Sequence, residues 1–154
     1  MLHIQIICIG KIKEKYFTQA IEEYKKRIAG GFELSIKELG EYRLQDSTDI
    51  VVQKEGESIL PLMKGAYNIA MCIEGKTVSS EGLWEMMQKV SVNGGSRINF
   101  IIGGSYGLSN AVKNASDFKL SVSPMTFPHQ LFRVMLCEQI YRATQIGQGT
   151  KYHK

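Results

Sequence analysis

Three cysteines in 154 residues, Cys8, Cys72 and Cys137, stand far apart and never as a C-x-x-C pair. That scarcity argues against a disulfide framework and against a cysteine-ligated zinc site. Buried, reduced thiols are expected instead. No apolar run approaches the roughly 18 residues that a membrane span needs. The opening Met1-Leu2-His3-Ile4-Gln5 lacks the basic start and small-residue cleavage site of a signal peptide. The expectation is a cytoplasmic protein with no membrane partner and no metal. Repeats, linkers and low-complexity tracts are also missing, so residues 1–154 read as one domain. A chain of this size buries roughly 68–70% of its unfolded surface. The GGSYG run at 103–107 lacks the G-x-G-x-x-G order and has no acidic residue about 20 positions on, and no Gly-Lys-Ser/Thr follows. These absences argue against a classical dinucleotide site and exclude a P-loop.

Charge is modest at +4 but uneven. Residues 1–102 hold 13 Lys/Arg and 13 Asp/Glu, whereas residues 103–154 hold six cations against Asp117 and Glu138. The whole excess sits in the last third. That placement fits an anionic partner, nucleic acid first, or a plainly solvated basic face.

Apolar patterning predicts alternating strands and helices. Strands are expected over Leu2–Gly10, Phe32–Glu38, Tyr67–Ile73, Ile98–Ile102 and Phe118–Val122. Helices are expected over Lys15–Ile28, from an Asp49 cap to about Leu60, from Ser79 or Ser80 to Asn93, around Ser109–Asn114, and from Pro128 onward. Residues 40–48 read as a polar loop. This alternation implies an α/β fold with a largely parallel sheet.

Three strand ends can carry chemistry: 71–76, 103–107 and 122–128. Parallel neighbours would bring these turns to one sheet edge, where α/β proteins bind ligands. Gly103, Gly104 and Gly107 let the backbone approach a ligand closely, or simply make a tight turn. Pro124 and Pro128 stiffen the segment holding Met125, Thr126 and Phe127, giving either an ordinary loop into a helix or a grip for a flat heterocycle. The last helix is apolar on more than one face, so it is either a central core helix or one covered by a second subunit. Glu138 and Arg142 stand at i,i+4 in the favourable order for an ion pair. The ending Tyr152-His153-Lys154 supplies proton donors and acceptors.

Several blocks in order carry a resemblance: Gly10-Lys11, Lys54-Glu55-Gly56-Glu57, Ile73–Lys76 with Ser79-Ser80-Glu81-Gly82, FIIGGSYGL, MTFPHQLFRV, EQIYRA and the final YHK. Through them the chain resembles the RlmH family, bacterial 23S rRNA methyltransferases of the SPOUT class. The resemblance implies a SPOUT fold with a C-terminal trefoil knot, an exception to the unknotted rule, and a homodimer. It implies S-adenosyl-L-methionine as cofactor, held by Met71, Gly103, Val122, Ser123, Pro124, Met125, Thr126 and Phe127. Met71 replaces a frequent leucine and keeps that wall apolar.

The implied reaction moves a methyl group to N3 of a pseudouridine in a hairpin loop of 23S rRNA, with the assembled ribosome as the expected substrate. The methyl donor is already activated, so alignment is the main task. Proton removal from N3, or stabilisation of the imide anion, would help. His129, Glu138, Tyr152 and His153 are the candidates for proton handling. Arg133, Arg142 and Lys154 are candidates for holding anion or phosphate. A partner subunit's tail completing each site is part of the same expectation. Two rivals remain open from sequence: a non-catalytic RNA-binding module, and a methyltransferase of the same class acting on tRNA or protein.

Overall fold

In the computed structural model, residues 1–43 and 47–154 are described. The five strands are β1 (Leu2–Ile9), β2 (Phe32–Leu39), β3 (Tyr67–Thr77), β4 (Arg97–Ile102) and β5 (Phe118–Ser121). The helices are α1 (Lys15–Arg27), α2 (Thr48–Ile59), α3 (Ser80–Val92), α4 (Asn110–Ala115) and α5 (His129–Gly147), with a 3₁₀ turn over Leu60–Met63. The strands form one sheet in the order β2-β1-β4-β3-β5, and every pairing is parallel.

A parallel sheet is buried on both faces, which explains near-continuous apolar runs such as LHIQIICI in β1. One face presents Ile4, Ile6, Cys8, Ile98, Phe100 and Ile102 to a core shared with Ile21 of α1, Met87 of α3 and Leu136 and Ile140 of α5. The alternate residues Ile7, Ile9, Ala70 and Ile101 face Ile59 of α2 and Val112 of α4. This period of two assigns each side chain to a layer. Helix α5 packs against both α1 and α3. Its several apolar faces are therefore satisfied largely inside the chain, as a central core helix.

The predicted elements hold, with local shifts. Strand β3 does not stop at Ile73 but runs on to Thr77, across a register shift between Met71 and Lys76 opposite Leu120. Ser47, not Asp49, sits at the cap position of α2, and Asp49 lies in its first turn. Ser79 caps α3, accepting from the Gly82 N–H at 2.9 Å. Strand β5 ends at Ser121, and Pro128 is the cap residue of α5. Of the expected loop at 40–48, residues 44–46 lie outside the described residues. Among the described residues, no helix is long and apolar enough to cross a membrane, and no three His, Cys, Asp or Glu side chains are grouped to hold a metal.

Candidate functional site

Strands β4, β3 and β5 are neighbours, so their C-terminal ends open side by side. The turns that follow enclose a cavity of about 540 Å³. Met71 to Glu74 line it from β3, Gly103 to Ser105 with Gly107 and Leu108 from the turn after β4, and Val122 to His129 (Pro124 excepted) from the loop after β5. Seven of the eight expected cofactor positions are thus in one wall: Met71, Gly103, Val122, Ser123, Met125, Thr126 and Phe127. Pro124 is the eighth, in the same loop but outside the lining.

Local chemistry sets each turn. At Gly103 a Cβ would lie 2.5 Å from the Gly107 carbonyl carbon and 2.7 Å from its oxygen, so the turn closes on itself only with glycine there. Gly104 and Gly107 complete the closure through a 3.1 Å backbone bond. In the next loop, the Ser123 hydroxyl accepts from the Met125 N–H at 3.0 Å, and the Ser121 hydroxyl donates to the Ser123 carbonyl at 3.1 Å. The entry to the loop, up to Met125, is therefore held by its own serines. Met125 is 71% exposed at the mouth, beside a half-exposed Val122.

The polar groups of the cavity are few. His129 lines it from the first turn of α5, and its Nδ1 is buried without a hydrogen-bond partner among the described residues. Burial, with the nearby Arg133 cation, holds this imidazole below the ordinary histidine pKa. Among the described residues, Glu74 and Lys113 are the only fully charged side chains in the wall, and they pair with each other at 2.5 Å. The hydrogen bond from Lys113 depresses the Glu74 carboxyl. Neither stood out in the sequence, because they lie 39 residues apart and no local pattern links them. Cys72 also lines the cavity, a thiol raised by burial and by Glu74.

The remaining candidates lie elsewhere. Arg133 is fully buried and absent from the cavity lining. Its Nη2 donates to the Ile9 carbonyl at 2.6 Å and its Nη1 to Glu38 at 3.0 Å. Glu138, Arg142, Tyr152 and His153 form a second cluster. Glu138 Oε1 accepts from Arg142 Nη2 at 2.6 Å, from Arg142 Nε at 2.9 Å and from the Tyr152 hydroxyl at 3.2 Å. His153 bridges Arg142, at 3.1 Å, and Glu81 of α3, at 2.6 Å. The Arg142 guanidinium also covers the Tyr152 ring at 4.9 Å, a cation–π contact. The Glu138 hydrogen bond raises the Arg142 pKa further, and burial with the Glu138 charge raises that of the Tyr152 phenol. None of these four residues lines the cavity of its own chain. The tail is ordered by this network, and Lys154 ends it exposed.

Comparison with known proteins follows the same architecture. A family profile described as "Predicted SPOUT methyltransferase" matches residues 2–153. The chain is 48% identical to the ribosomal RNA large subunit methyltransferase H of Clostridium novyi over 159 aligned residues, covering 99% of this chain and all of that protein. It is 46% identical to the protein of the same name from Fusobacterium nucleatum, again over 99% of this chain and 100% of the relative. A solved Bordetella pertussis structure, described as a probable methyltransferase, superposes with a TM-score of 0.57 at 7% identity, covering 91% of this chain and 95% of that one. At that identity the last likeness speaks to fold alone.

Proposed function

The chain belongs to the SPOUT methyltransferases, within the family of the ribosomal RNA large subunit methyltransferase H, and from that premise we propose that it methylates large-subunit rRNA. The donor is S-adenosyl-L-methionine, and the acceptor is N3 of a pseudouridine in a 23S rRNA hairpin loop, presented by the assembled ribosome. The observation that carries this reading is the convergence of three strand-end turns on one largely apolar cavity of about 540 Å³. Such a volume is in the range of small-molecule cofactor sites.

The residues present fit the donor. Met71, Leu120 and Phe127 offer an apolar wall to a purine, and the glycine turn at Gly103 exposes backbone where a side chain would block approach. When bound, that group supplies a methyl already activated by its sulfonium. The protein's own part is alignment and proton handling. His129, whose ring lines the cavity wall while its Nδ1 is buried without a partner among the described residues, is the candidate to accept the N3 proton as the new C–N bond forms. Its depressed pKa keeps it neutral near pH 7, the state a base needs.

The second cluster enters through a homodimer. Glu138, Arg142, Tyr152 and His153 are ordered but remote from their own chain's cavity, and this supports a site completed by the partner's tail. Ile73, Tyr106, Val122, Met125 and Leu131 are exposed apolar side chains near the cavity, which suits a surface covered by a second copy. A trefoil knot in the last segment belongs to the same reading, and membership of the SPOUT family is what supports it.

Incubation with isotopically labelled donor and, separately, large ribosomal subunits, free 23S rRNA, tRNA and total protein tests the assignment. Label in a single pseudouridine of the ribosomal sample is expected. Label confined to tRNA or protein would replace the substrate, and an absence of donor binding would favour a non-catalytic RNA-binding module.

A further inference from the structure

A fully buried guanidinium is costly unless it is paired and hydrogen-bonded. Arg133 meets that condition through its two terminal nitrogens, which fasten the connection between β1 and α1, while its Nε has no partner among the described residues. Its Nη2 holds the Ile9 carbonyl at the end of β1, and its Nη1 holds Glu38 Oε2. The same Glu38 oxygen accepts the Ile12 N–H at 2.9 Å. One residue later the Lys13 N–H donates to Gln130 Oε1 at 3.1 Å. Gln130 sits in the first turn of α5, directly after Pro128 and His129 of the cavity wall. A short connection is thus held at three points, by Arg133, Glu38 and Gln130, of which Gln130 adjoins the wall of the donor cavity.

Its side chains divide by chemistry. Ile12 packs against the main core, while Lys11, Lys13 and Lys15 are exposed. None of the three has a carboxylate within ion-pair distance among the described residues, whereas Lys25, Arg27 and Lys54 each have one. Three ammonium groups outside any ion pair among the described residues, with the exposed carboxylate of Glu14 between two of them, therefore stand on this connection and at the start of α1. Summed over the chain, the first 102 residues look neutral, and the local excess disappears in that sum.

The geometry points to Lys11, Lys13 and Lys15 as the platform that grips rRNA phosphates and sets the RNA's position over the donor cavity. This rests on the methyltransferase reading above and names a contact surface for its substrate. Phosphate contacts of this kind position a nucleic acid without reading its sequence. A braced backbone loses less freedom on binding than a floppy one, so less of the contact energy is offset by ordering.

The test compares the wild-type protein with the K11Q/K13Q/K15Q and K11R/K13R/K15R variants, using large ribosomal subunits as the probe. Binding is measured across a salt series, with donor affinity measured by calorimetry in parallel. The glutamine variant is expected to flatten the slope of log affinity against log salt by roughly 2, at about 0.7 per lost single-strand contact. Its KM for rRNA should rise several-fold, with kcat and donor affinity unchanged, and the arginine variant should behave like wild type. An unchanged salt slope in the glutamine variant with donor binding intact overturns the platform. A glutamine variant that instead loses donor affinity also overturns it, because the loop would then be shaping the cavity. Wild-type protein that binds no donor sinks the underlying methyltransferase reading instead.

Discussion

Arg133 and Glu38 make unequal partners, and the inequality predicts which substitution does more damage. The arginine side chain is fully buried, while that of Glu38 is 35% exposed. Glu38→Gln leaves a buried guanidinium facing a neutral amide and the Ile9 carbonyl. Stranding a buried charge costs about 3–5 kcal/mol, and the partial exposure of Glu38 places the loss near about 3. For a chain of this length that corresponds to a fall in Tm of roughly 6–12 °C. Arg133→Met strands only a carboxylate that water can reach and that still accepts the Ile12 N–H. Its main cost is the undonated Ile9 carbonyl, about 1 kcal/mol once the methionine fills the space. The double variant should recover most of what Glu38→Gln loses, because no orphan charge remains. Thermal unfolding followed by circular dichroism at one protein concentration reads all three. Glu38→Gln unfolding no earlier than Arg133→Met, or a double variant no better than Glu38→Gln, would refute the account. An Arg133→Met protein with wild-type stability and no methyl transfer would return Arg133 to the chemistry.

Gly103→Ala drives a methyl into the Gly107 backbone and should slow methyl transfer about 100-fold by displacing the turn; near-normal turnover would mean that the turn is not a cofactor wall. His129 should titrate below the ordinary value of 6.5 by NMR, with burial as the main cause. Because its folded-state pKa is depressed, its neutral form is favoured by folding. The associated stability is fully present above about 6.5 and is lost as pH falls from there toward the folded value; a His129→Gln variant should lose that slope, and retention of it would assign the slope to another group. Mixing inactive Gly103→Ala with inactive His153→Ala subunits should restore roughly a quarter of wild-type activity through mixed dimers carrying one intact site. No restoration after subunit exchange would argue for sites confined to one chain.

The frame of the molecule was readable because apolar runs in β1, β3 and β4 and the 3.6-residue spacing in α1 and α3 report burial directly. The three turns around the cavity were also readable, since glycine and proline mark them. What escaped was non-local. The continuation of β3 through Glu74-Gly75-Lys76 reads as a polar loop, yet at Gly75 a Cβ would stand 2.7–2.8 Å from the Leu120 and Lys119 backbone, a close approach that only a missing side chain permits. Arg133 reads as a candidate for holding anion or phosphate, and only its distant partners Ile9 and Glu38 explain its burial. Glu74 and Lys113 meet across the cavity for the same reason. Glu138, Arg142, Tyr152 and His153 were each visible as reactive types, but their mutual bonding in one cluster depends on where α5 and the tail come to rest.

Strand order has a consequence for biosynthesis. Strand β4, which begins only at Arg97, is the central member of the sheet and lies between β1 and β3. Until it emerges, the nascent polypeptide can pair β1 only with β2, and Ile4, Ile6 and Ile7 lack their eventual neighbour on the other side. Maturation must therefore wait until about two thirds of translation is complete, leaving an aliphatic edge in need of shielding for that interval.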